Sequence, residues 1–77
     1  MKFDPDLMRK ILLAVEDQPF PVTQELEVAG YGQDAIGFHV VQLRDAGLVK
    51  AEVLFADDDI VSVMVSSLTM EGQKLLD

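Results

Sequence analysis

The chain has one histidine, His39, and no cysteine, so thiol catalysis, cysteine metal sites and any relay needing two histidines are excluded from the start. On a helix His39 falls at the edge of an apolar stripe. A partly buried, hydrogen-bonded histidine is the expectation there, since nothing supplies the other half of a nucleophile or metal site. Ser62, Ser66 and Ser67 lack the glycine-flanked setting that exposes a nucleophilic serine. Asp57, Asp58 and Asp59 are consecutive. A calcium loop needs oxygen ligands at alternate positions, a glycine bend and a distal glutamate, so a solvated turn is expected instead. Gly30-Tyr31-Gly32 lacks the spacing and setting of a nucleotide loop and reads as a turn. The expectation is no catalytic residue, no metal, no cofactor and no enzyme.

The elements that carry these residues follow from spacing. Asp4 suits an N-cap and Pro5 the first helical position, where a missing N–H costs nothing. Leu7, Met8, Ile11, Leu12 and Val15 then recur at helical spacing, with Lys2, Arg9 and Lys10 off the stripe. Pro19 ends this helix. From Thr23 to Gly32, Leu26 and Val28 alternate with Glu25 and Glu27, which favours a short strand; a turn or two of helix from Thr23 is the alternative. A second helix is expected from Gln33 to Ala46. Val40 and Leu43 lie within about 40° of Ile36 on its wheel, and Gly47 stands at the C′ position. Leu48 to Ala56 and Ile60 to Ser67 read as a hairpin. Val49, Ala51, Val53 and Phe55 are assigned to one face of its first strand, and Val61, Val63 and Val65 to one face of the second. Thr69 caps a short last helix carrying Leu75 and Leu76.

With 77 residues, 49% of them apolar, the chain forms a single domain over 1–77 with no linker, repeat or second core. Its apolar runs are too short to span a membrane and no signal peptide opens it, so a soluble cytoplasmic protein is expected. Six basic against fourteen acidic residues give a net charge of −8, the wrong sign for a protein that lives on phosphate.

The stretch from His39 through Leu43, Ala46 and Gly47 to Leu48-Val49 resembles the end of the recognition helix and the start of the wing in bacterial winged-helix regulators. The whole chain is also similar to small uncharacterised bacterial and prophage proteins with a winged-helix fold, a domain of unknown function. That similarity runs through Leu7–Leu13, Gly30-Tyr31 to His39, and Leu68–Gly72. It implies a small α+β winged-helix-like domain: helix, short strand or turn, helix, two-stranded wing, short C-terminal helix. Two departures stand out. The interval from Pro19 to Gly32 is short and holds two glycines, so the usual intervening helix is degenerate or replaced, and the second helix holds Arg44 against Asp34 and Asp45.

Phe38 and Val41 fall roughly 140–200° from Ile36, opposite the apolar stripe. Gly37, Phe38, Val41 and Gln42 are therefore the candidate partner-binding residues, for a protein partner or self-association, unless another segment covers Phe38. Under the alternative, a DNA-binding transcriptional regulator, Gln33, Gln42, Arg44 and Lys50 would contact nucleic acid, and the acidic charge opposes it. The leading expectation is a non-enzymatic interaction module.

Overall fold

The computed structural model describes residues 2–17 and 26–76. Its elements are α1 (Pro5–Glu16), α2 (Gln33–Asp45), β1 (Val49–Ala56), β2 (Asp59–Leu68) and α3 (Met70–Leu76). This is the small α+β layout expected, and it is compatible with a winged helix. The Asp4 carboxylate accepts from the N–H groups of Asp6 (2.9 Å) and Leu7 (3.4 Å), two donors that the first turn leaves unpaired. Leu7, Ile11, Leu12 and Val15 are buried, and Met8 packs at their margin. α1 ends at Glu16, ahead of Pro19, which lies outside the described residues.

α2 runs nearly as expected and buries Ile36, Val40 and Leu43 against α1 and the hairpin. Gly47 has φ +78°, and two bonds close the helix end: Leu48 N–H to the Leu43 carbonyl (2.9 Å) and Gly47 N–H to the Arg44 carbonyl (3.0 Å). That pair is a Schellman motif, which requires the left-handed residue a glycine supplies most easily. It turns the chain straight into β1.

β1 and β2 form a two-stranded antiparallel sheet joined by Asp57 and Asp58. Both turn residues have positive φ (52° and 68°), the mark of a type I′ hairpin turn. Register shifts fall between Lys50 and Ala51 and between Leu54 and Phe55, leaving Ser66 and Val61 of β2 without partners. These are β-bulges, and they correct two expected face assignments. Val61 does not share the face of Val63 and Val65: the extra residue turns it outward, 58% exposed, while Val63 and Val65 are buried. Phe55 lies beyond the buried Val49 and the partly buried Ala51 and Val53 and is 54% exposed.

The expected strand between Thr23 and Gly32 is not formed at its described end. Thr23–Glu25 lie outside the described residues; Leu26 to Val28 have no ladder partner and no helical bonds, and Ala29-Gly30 make a turn. Burial still alternates, with Leu26 in and Glu27 out. α3 is capped as expected: Thr69 Oγ1 accepts from Gly72 N–H (3.1 Å) and donates to the Gly47 carbonyl (2.6 Å). Gly72 lies so close to the Leu48 carbonyl that an added Cβ would collide with it.

Candidate interaction surface

His39 occupies the inner flank of α2 at 1% exposure, deeper than its wheel position implies. Its Nε2 lies 2.7 Å from the Asp4 backbone nitrogen, whose N–H can only donate, so Nε2 accepts. Nδ1 then carries the proton and donates to the Ala35 carbonyl at 2.7 Å. Phe3 stacks on the ring (centroids 5.2 Å, 26° between planes) and Phe38 meets it edge-on (5.3 Å, 79°). With both nitrogens engaged, the ring ties the start of α1 to the middle of α2. It has no free atom for chemistry.

The four candidate partner-binding residues do not share one open face. Gly37 is buried, correcting its assignment: a Cβ there would lie 3.0 Å from Ile60 Cγ2 and 3.3 Å from Val63 Cγ2. The missing side chain lets β2 approach this flank of α2, a contact no wheel shows. Phe38 and Val41 are half-buried and Gln42 is exposed. Phe38 is neither fully covered nor bare. Together with Asp34, Asp58, Asp59 and Ile60 it lines an open groove between α2 and the hairpin tip.

The residues considered for nucleic acid are scattered. Gln33 is exposed, but its amide Nε2 donates to the Leu26 carbonyl (3.1 Å), steadying the loop before α2. Arg44 pairs with Asp45 (3.4 Å). Lys50 is exposed, opposite Ser67 at the base of the hairpin. No group of three or more metal-binding side chains occurs among the described residues.

Sequence reasoning missed the outer half of the hairpin. Leu54 (56% exposed), Phe55 and Val61 stand exposed there, and Phe55 pairs with Ile60, which lines the groove. The signal was present in the turn. If Asp57-Asp58 is a two-residue loop, strict pairing sets Val53 opposite Ser62, and only a bulge restores Val63 to that place.

The family described as "Hypothetical protein (DUF2513)" matches residues 2–77, so the chain belongs to it. It is a domain of unknown function and brings no activity with it. No curated protein and no solved structure matches the chain. Among the described residues no helix is long and apolar enough to cross a membrane.

Proposed function

We propose that this member of an uncharacterised family is a non-enzymatic, winged-helix-like interaction module that binds a protein partner through the outer face of α2 and the hairpin. The observation that carries this reading is the open groove lined by Phe38 and Ile60, with Phe55, 54% exposed, paired to Ile60 beside it. Contiguous exposed apolar side chains mark interaction sites more often than scattered ones do. A cytoplasmic location suits such a module.

The test is display of peptide fragments encoded by the source genome, with purified hits titrated against the parent chain and Phe38→Glu. The substitution forfeits the edge contact with His39, about 0.5–1.5 kcal/mol beyond the ring's lost burial, and a melting curve establishes that the variant is folded before binding is read. Binding is lost, because the apolar contact of the ring is gone and the carboxylate that replaces it must be desolvated. A folded Phe38→Glu that binds every hit as the parent does would sink the reading.

The helix-to-wing layout favours a second reading, a DNA-binding transcriptional regulator of bacterial or prophage origin. Arg44 and Lys50 would be its phosphate contacts. Arg44 is paired with Asp45, and the hairpin tip that would approach the duplex carries three aspartates.

A further inference from the structure

The groove between α2 and the hairpin has an apolar floor and acidic walls. Phe38 and Ile60 form the floor; Asp34 stands on the helix side, Asp58 and Asp59 on the hairpin side. Phe55, 54% exposed and paired with Ile60, extends the apolar surface along the hairpin. Among the described residues none of Asp34, Asp57, Asp58 and Asp59 takes part in a salt bridge; the ion pairs are Arg44–Asp45 and Lys74–Glu71. None of the remaining cations forms an ion pair with these aspartates among the described residues. Lys2, Arg9 and Lys10 lie at or on α1, with Lys10 over the Tyr31 ring. Lys50 stands six residues along β1 from Ala56, a span of roughly 20 Å at about 3.3 Å per residue. That exceeds the Debye length of about 8 Å at physiological salt, so Lys50 does not compensate the tip's negative field.

We infer that this groove and hairpin tip take a basic segment of a partner protein, in which lysine or arginine residues flank an aliphatic or aromatic anchor. The inference rests on the protein-binding reading above and adds the partner's chemistry. The anchor sits on Phe38 and Ile60, and the flanking cations meet Asp34 on one wall and Asp58 and Asp59 on the other. Charge decides among the occupants. A second copy in a two-fold contact would set the same patch against itself, three aspartates facing three, between chains of net charge −8. Nucleic acid meets the same repulsion. A basic segment covers the apolar floor and neutralises its walls together.

The probe is a random 12-residue display library selected on the intact chain. Enriched peptides are synthesised, titrated, and mapped by amide chemical shifts. The expected result is enrichment of lysine and arginine around one apolar residue, with shifts at residues 34–41 and 54–61. Affinity should fall at raised salt. It should also fall roughly 3- to 25-fold in a double variant Asp58→Asn and Asp59→Asn, at up to about fivefold for each exposed pair. Phe55→Ser, checked for folding by its melting curve, should weaken binding as well. Enriched peptides that are acidic or uncharged, or that map elsewhere, overturn the inference while leaving a protein-binding module in place. Enrichment equal on parent and double variant overturns it too, as does a dimer whose interface maps to the tip. Failure of the underlying reading looks different: sequence-dependent duplex binding, and genome-encoded hits indifferent to Phe38→Glu.

Discussion

At position 43 a leucine 1% exposed sits among Ile36 and Val40 of α2 and Ile11, Leu12 and Val15 of α1, in one core. Truncating it leaves a cavity that two packed helices cannot close. Leu43→Ala should cost about 2–5 kcal/mol, measured by urea unfolding. For a domain of this size that is a large share of the whole. A variant that unfolds with the parent would mean that the helix phase is wrong. Residues whose roles are set by their own neighbours in sequence were legible in this way. Asp4 before Pro5 announces a cap, and Gly47 after a helical stripe announces a C′ turn. Gly37 was not legible. Its position on the wheel points outward, and only the arrival of Ile60 and Val63 from a distant strand makes it an interior residue. His39 lies between the two cases. Its burial followed from the stripe, while its bond to the Asp4 N–H spans 35 residues and has no local signature.

Among the elements, the hairpin departs most from simple alternation. Strand composition placed β1 and β2 correctly, because β-branched and apolar residues on either side of an aspartate run mark a turn between strands. Composition is silent on register, so the bulges at Val61 and Ser66 and the exposure of Phe55 emerged only from the pairing. Leu26 and Val28 show the converse: their alternation is real, but a strand exists only where another pairs with it. The turn itself is open to test. Asp57 and Asp58 both adopt left-handed backbone, which costs a residue with a Cβ roughly 1–2 kcal/mol, less for aspartate. Glycine is favoured at the second position of a type I′ turn. Asp58→Gly should therefore stabilise the domain by about 0.5–1 kcal/mol. Thermal melting should rise by about 2–8 °C, and an unchanged or lowered midpoint would contradict this turn geometry.

For the molecule as a whole, charge sets the terms of any encounter. A tight duplex binder makes about 6–10 phosphate contacts and weakens steeply with salt. The helix face and hairpin offer Arg44 and Lys50 against Asp34, Asp45, Glu52, the turn residues Asp57 and Asp58, and Asp59 at the start of β2. Titration of labelled duplex DNA at physiological salt should therefore give no sequence-dependent binding by the monomer, and submicromolar affinity would show that charge does not bar DNA. The groove has a gauge of its own, and it is set at Gly37. Hydrogen is the only substituent there, so α2 and β2 stand as close as two backbones carrying Ile60 and Val63 between them allow. A methyl group added at that position would press on the Ile60 side chain, which must give by a few tenths of an ångström and is itself part of the groove's lining. The floor offered to an incoming side chain is thus governed by a residue outside the groove's lining. Variation at this one buried position would retune which anchors fit while every wall residue stayed the same.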